Sequence, residues 1–280
     1  MIEFEPYHYS YEEIEARKEN LLSFQAAGLT YRKMMASVLG CIDLTSLEGS
    51  DTNEKIIAIC RKAKTIADTG KGLPNVAAVC FYPPFVSTAK KELEGTDIKV
   101  ASVAGAFPGG QSPIHVKTEE VKFAVGEGAD EIDMVISRGK FLEGAFGVVF
   151  DEIAAIKEVC GPARLKVILE TGELQTVKNI RKASEIAIDA GADFIKTSTG
   201  KVSPAATAEA FIVMADTVKE YFEKTGKMIG LKPAGGISTP EQAITYYQLL
   251  HAIAGENWLN KNFFRVGASR LTDELIKKLQ

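Results

Sequence analysis

Three charged side chains sit where a packed interior would reject them. The stretch "GADFIKTSTGK" (191–201) puts Lys196 at the end of a short apolar run, directly before a glycine-bearing turn. "IGLKPAGG" (229–236) does the same for Lys232, and "GADEID" (128–133) ends on Asp133. A free lysine, with a pKa of about 10.4, is only ~0.1% neutral amine at pH 7.5. Attack on a carbonyl calls for a downward shift of about three units, or about 4 kcal/mol. A second cation at ~6 Å, with an effective dielectric near 20, contributes on the order of 2.8 kcal/mol of that. Desolvation by the apolar strand supplies the rest. A lysine activated by a cationic neighbour is one route to a Schiff-base nucleophile. A carboxylate nearby can carry protons to and from the imine carbons, directly or through water. These residues point to imine formation on Lys196, tuned by Lys232 and served by Asp133. The competing reading is a structural ion-pair network of Asp133, Glu170, Lys196 and Lys232. Two adjacent ammonium groups weigh against it, because they repel and a structural network has little reason to pair them.

Such residues need a scaffold that brings distant strands together. "GADEID" and "GADFIK" (191–196) align position by position, each reading as a helix-ending glycine followed by a strand. Their separation is two βα units, and alternate strands of a closed barrel fill the same interior layer. Strands are expected at 37–42, 76–81, 99–103, 131–135, 165–169, 194–196, 228–232 and 264–266. Amphipathic helices are expected between them at 54–67, 118–127, 146–159, 175–189, 205–224 and 239–253. Eight strands joined by helices imply parallel pairing through right-handed crossovers. In one chain of 280 residues they most simply close into an α/β fold, the (β/α)8 or TIM barrel. An open doubly wound sheet is the alternative, but the G-x-G-x-x-G fingerprint is absent. Residues 1–35 read as a helical extension capping the barrel's bottom or an edge, with Ser10 as an N-cap, and 36–280 as the barrel domain.

At the C-terminal mouth of such a barrel, loops seven and eight with the start of the last helix form the usual phosphate cradle. Here they read "PAGGIS" (233–238) and "VGASR" (266–270), and "STGK" (198–201) follows strand six. The last is no P-loop, since Ile195 stands where that motif needs glycine. Three donor-rich loops beside an activated lysine favour an anionic substrate, although glycines also simply satisfy turns. Cys80, at the end of strand two, either lines this mouth or is an ordinary buried thiol.

Composition narrows the rest. A net charge of −4 and pI near 5.6 argue against general nucleic-acid binding. No apolar run approaches the roughly 20 residues of a membrane span, and the acidic, aromatic N-terminus is unlike a signal peptide. Cys41, Cys60, Cys80 and Cys160 form no C-x-x-C pair, which suits reduced thiols in the cytoplasm. His8, His115 and His251 are dispersed and none lies near a cysteine, so a zinc site is not expected, although carboxylates could hold a hard cation; catalysis is expected to need neither metal nor cofactor.

Together "GADFIKTSTGK", "GLKPAGG", "GADEIDMV", "CIDLTSL" (41–47) and "AAVCFYP" (77–83) resemble the deoxyribose-phosphate aldolase family, from about residue 37 to 279. The resemblance implies a metal-independent class I aldolase on a TIM barrel. It joins acetaldehyde to glyceraldehyde 3-phosphate and is a lyase of deoxynucleoside breakdown. It implies Lys196 as the Schiff-base lysine, Lys232 as the lysine that lowers its pKa, Asp133 as the proton carrier and Asp43 as a supporting acid. Thr45, Thr199, Gly200, Lys201, Gly235, Gly236, Ser269 and Arg270 fall on positions that bind the sugar phosphate. The implied partners are small aldehydes and sugar phosphates, with a homo-oligomer in the cytoplasm. Arg270 replaces a serine common in the family, and no tyrosine-ended tail follows the last helix. Other Schiff-base aldolases or transaldolases, and a non-catalytic sugar-phosphate sensor, are the rival readings.

Overall fold

The computed structural model describes residues 2–23, 30–69 and 72–280. Eight short parallel strands form the centre: β1 Ile42–Thr45, β2 Ala78–Phe81, β3 Lys99–Val103, β4 Glu131–Val135, β5 Arg164–Ile168, β6 Phe194–Lys196, β7 Gly230–Lys232 and β8 Val266–Ala268. Their order is β7-β6-β5-β4-β3-β2-β1-β8, and bridges from Leu231 to Phe264 and from Ala234 to Gly267 join the two ends. The sheet therefore closes into a barrel ringed by helices, and the open-sheet alternative is excluded.

The strands are buried on both faces, so they lack the polar–apolar alternation of a half-exposed sheet. Their outward residues, such as Val79, Val100, Ile132, Val167, Ile195 and Leu231, join one large apolar core with the helices. The inward residues of β2 and β3 form a separate small cluster of Cys80, Ala101 and Val103 with Leu47. Much of the remaining barrel interior is ionic, with the Phe194 ring lying against Arg265 at 5.8 Å. Because every strand runs the same way, residues such as Thr45, Lys196 and Lys232 all arrive at one mouth.

The first strand is not where the sequence places it. Residues 37–39 finish the helix Tyr31–Leu39, which is capped by Thr30 accepting from the Lys33 N–H. Met34, Met35, Val38 and Leu39 bury one helical face, and the same apolar run imitates a strand when read alone. That helix also crosses the expected boundary at residue 35. β8 begins two residues later than expected, and β7 is confined to Gly230–Lys232. The helix Tyr11–Ser23 starts at Ser10, as expected. Glu13 N–H donates to Ser10 Oγ at 3.2 Å, and Ser10 N–H donates to Glu13 Oε2 at 2.7 Å. It lies on the flank of the barrel against helices Ala208–Thr225 and Pro240–Ala254 rather than under the bottom. Residues 24–29 of the expected extension lie outside the described residues. Among the described residues, no helix is long and apolar enough to cross a membrane.

Candidate active site

Seven charged groups meet inside the barrel: Asp43 on β1, Glu131 and Asp133 on β4, Lys166 on β5, Lys196 on β6, Lys232 on β7, and Arg265 just before β8. None is more than 3% exposed. Lys196 Nζ donates to Asp133 Oδ2 at 2.8 Å, and Lys232 Nζ donates to the same oxygen at 2.7 Å. Lys232 also donates to Asp43 Oδ2 at 2.5 Å. Lys166 lies 2.7 Å from Asp133 Oδ1 and 2.6 Å from Glu131 Oε2. Arg265 spans Asp43 at 2.6 Å and Glu131 at 2.7 Å. The repeat that aligned Asp133 with Lys196 thus corresponds to a direct contact across the barrel, at its mouth end.

The charges do not cancel when every group is ionised. Four cations face three carboxylates, which leaves one surplus positive charge where solvation is poorest. Losing one proton from one lysine removes that surplus. Lys196 is the lysine suited to lose it. It touches a single carboxylate oxygen, whereas Lys232 and Lys166 each contact two or more carboxylates. Burial pushes the Lys196 pKa down and the Lys232 charge pushes it further, against the opposing pull of Asp133. Burial opposes the charge on Lys232 as well, but Asp133 and Asp43 outweigh it and hold Lys232 firmly protonated. Lys166 is likewise raised by Asp133 and Glu131 against the effect of burial. Burial would raise Asp133, yet Lys166, Lys196 and Lys232 hold it well below the usual carboxylate range. Asp43 is held low in the same way by Lys232, Arg265 and Lys166. The larger push on Lys196 comes from burial and the second cation adds to it, the reverse of the order expected from sequence.

Glu170 belongs to a different cluster. It stands in the left-handed region, at φ 57°, where β5 turns outward. Its carboxylate accepts from Thr199 N–H at 3.2 Å and Thr199 Oγ1 at 2.5 Å, and Arg138 reaches it at 3.4 Å. Thr199 Oγ1 also accepts from the Lys201 N–H at 3.1 Å. The Thr199 hydroxyl therefore fixes the loop after β6 and is spent on that task. Cys80 is fully buried beside the cluster, and burial followed by the Asp133 charge lifts its thiol to about 11. It is the ordinary buried thiol of the two readings offered by the sequence.

Above the cluster opens a cavity of about 640 Å³. Lys196 lies at its base, and Thr45, Thr199, Gly200, Lys201, Gly235, Gly236, Ser269 and Arg270 all line it. Gly235 requires glycine twice over. Its φ is +85°, and a Cβ there would lie 2.7 Å from Ala205 Cβ and 3.0 Å from Gly200 Cα. The loops after β6 and β7 are thereby pressed together, with backbone facing the cavity. Thr45 Oγ1 donates to the Asp43 carbonyl at 2.7 Å. Lys201 spans the mouth to Glu48 at 3.1 Å. Arg270 is exposed at the start of helix Leu271–Leu279 and makes no ion pair with a described residue; Asp273, three residues on, pairs with Lys62.

Glu131, Lys166 and Arg265 escaped the sequence reading. Only Lys166 carries the signal that exposed Lys196, a charge within an otherwise apolar strand, in "RLKVILE". Glu131 and Asp133 are two apart on one strand and so share a face. Lys55 and Lys62, which also line the mouth, were missed too; they are seven apart on one helix, a spacing that places both on one side.

Comparison with known proteins agrees with this geometry. A family model described as DeoC/LacD family aldolase matches residues 37–251. A human protein named deoxyribose-phosphate aldolase is 42% identical over 279 residues, covering 96% of this chain and 86% of the human one. Its bovine counterpart is 41% identical over 279 residues, with the same coverage of 96% and 86%. Among solved structures, a deoxyribose phosphate aldolase from Aeropyrum pernix, described as having a unique tetrameric structure, superposes with a TM-score of 0.68 at 24% identity. It covers 96% of this chain and 98% of that one, and it bears on the fold.

Proposed function

The chain belongs to the DeoC/LacD family of aldolases, and we propose that it reversibly cleaves 2-deoxy-D-ribose 5-phosphate to acetaldehyde and D-glyceraldehyde 3-phosphate through an imine on Lys196. The observation that carries this reading is the surplus cation: of the four cations in the barrel cluster, Lys196 has the fewest carboxylate contacts and faces the cavity. Its neutral amine adds to the C1 aldehyde of the open-chain sugar, and loss of water gives the imine. Protonated, that imine draws electrons from the C2–C3 bond as a proton leaves the C3 hydroxyl. Glyceraldehyde 3-phosphate departs, and the bonding pair remains on Lys196 as an enamine. A proton then returns to C2, and water hydrolyses the imine to release acetaldehyde and the free amine.

Asp133 is too strongly stabilised as a carboxylate to be a strong base. Its part is to stabilise the iminium charge and to pass protons through bound water. Lys232 remains an ammonium and keeps Lys196 deprotonated between turnovers. Asp43 holds Lys232 in place. The phosphate lies toward Gly200, Gly235 and Gly236 backbone, with Lys201, Ser269 and Arg270 as donors. Arg270 adds a charge-assisted and potentially bidentate contact that a serine at that position would lack. Thr45 and Thr199 shape the base and side of this cradle.

The same reading makes the protein a cytoplasmic homo-oligomer. Four buried free cysteines support a reducing compartment, and the tetrameric Aeropyrum pernix relative supports self-association. The decisive experiment is chemical trapping. Incubation with acetaldehyde and reduction with borohydride should leave a two-carbon adduct on the peptide containing Lys196. An adduct confined to Lys232 or Lys201 overturns the assignment.

A further inference from the structure

The ionic cluster does not stop beneath the reacting lysine. A second cavity, of about 560 Å³, opens at the N-terminal ends of the strands, and Glu131 and Arg265 line it. From there two chains of contacts climb to Asp133. One runs from Arg265 through Asp43 to Lys232, and the other from Glu131 to Lys166. Arg265 N–H groups also donate to both Glu131 oxygens, at 3.1 and 2.7 Å. Neither Arg265 nor Glu131 reaches the mouth cavity, so neither can touch a substrate held above Lys196.

We propose that Arg265 and Glu131 are positioning residues that set the protonation state of Lys196 from the far end of the barrel. Arg265 supplies the cation that puts the cluster one positive charge in excess, and Glu131 limits the excess to one. Without Arg265, three lysines would face three carboxylates, and Lys196 would keep its proton. Without the Glu131 charge, the excess would rise to two, and Lys196 would lose its proton more readily. The other groups facing Lys196 are Asp43 from β1, Cys80 from β2, Asp133 from β4, Lys166 from β5 and Lys232 from β7, while β3 contributes the uncharged Ala101 and Val103. Cys80 stays a thiol at neutral pH and does not enter the count.

This inference rests on Lys196 as the imine-forming residue, and the test separates the two. The quantity measured is the pH at half-maximal rate of borohydride-trapped acetaldehyde labelling at Lys196, normalised to folded protein by circular dichroism. Arg265→Met should move that midpoint to higher pH, and Glu131→Gln to lower pH, each by about one unit for a unit charge acting at an effective dielectric near 20. The double variant removes one charge of each sign and should return the midpoint to within about 0.3 unit of wild type. A purely structural role predicts loss of folded protein without opposite shifts or restoration. If Arg265→Met does not fold, Glu131→Gln and the double variant still decide the matter. Unchanged midpoints, or shifts of one sign in both single variants, overturn the proposal. Absence of wild-type labelling at Lys196 instead overturns the nucleophile assignment on which it stands.

Discussion

Lys196 and Lys232 are chemically the same side chain on neighbouring strands, and their difference is the number of carboxylates each meets. Lys232 contacts Asp43 and Asp133, and Lys196 contacts Asp133 alone. Replacing Lys232 with methionine should therefore reveal its electrostatic role. The sign is fixed: Lys232 is held charged, its removal relieves repulsion, and the Lys196 pKa, lowered in the native protein, rises toward its ordinary value. The two ammonium groups share one Asp133 oxygen, and a unit charge at ~5 Å with a dielectric near 20 corresponds to about 2.4 pH units. The acid limb of the kcat/KM profile should move alkaline by that amount, with activity recovering at high pH. A profile that keeps its midpoint would show that Lys232 only packs the interior. At this scale the sequence was most legible where a charge interrupted an apolar strand beside a glycine turn, as at Lys196, Lys232 and Asp133. It was least legible where charges fell at strand beginnings. Glu131 opens β4 and Arg265 directly precedes β8, where a charge is usually solvated, and only the closed barrel turns both inward.

The elements bring these residues together by repeated parallel pairing. Lys196 and Lys232 are direct partners in the β6–β7 register, and Asp133 pairs with Lys166 between β4 and β5. Periodicity made the alternation of strands and helices legible. It did not reveal that residues 37–39 end a helix, because an apolar run of that length satisfies both periods and tertiary packing decides between them. The β7–β8 seam was not legible either, and it is where an element acts on the site. Gly267 has no Cβ, and one placed there would lie 2.8 Å from Ala234 Cβ and 3.2 Å from Lys232 Cε. Ala234 is held by its bridge to Gly267 and cannot retreat freely, so Gly267→Ala should push β8 outward and displace the Lys232 ammonium from Asp43 and Asp133. A displacement approaching 1 Å in a catalytic constellation is worth up to about 100-fold in rate. The expected result is a fall in kcat of at least tenfold together with a rise in KM, since Gly267 and Ala234 belong to the loops that carry Gly235, Ser269 and Arg270. Equal kcat in Gly267→Ala and wild type would mean that the seam accommodates a methyl group without moving the lysine.

Across the whole molecule, the catalytic interior is carried by a barrel whose outer ring is reinforced by the N-terminal arm. Arg17 donates to both oxygens of Asp216 at 2.5 and 2.8 Å, and Tyr7 Oη donates to Asp216 Oδ2 at 2.5 Å. Lys18 pairs with Glu209 on the same helix, and Ile14 is completely buried. The arm thus clamps helix Ala208–Thr225, which follows β6 and its lysine, from outside. The clamp and the reacting groups share no residue, so stability and catalysis should separate. Arg17→Ala leaves the Asp216 carboxylate with Tyr7 alone. A bidentate charged contact is worth about 1.5–3 kcal/mol when well buried, and partial exposure of Arg17 reduces this to about 1 kcal/mol. For a domain of this size that corresponds to a fall in Tm of roughly 2–4 °C. Replacing both Arg17 and Ile14 with alanine should go further, because truncating a buried isoleucine costs about 2–5 kcal/mol. Below the melting range, kcat/KM and the trapping of acetaldehyde on Lys196 should stay within twofold of wild type. Thermal scans paired with trapping at 25 °C decide the point. A parallel loss of imine formation in the still-folded variants would make the arm part of the catalytic apparatus, acting through helix Ala208–Thr225 on the loop that carries Gly200 and Lys201.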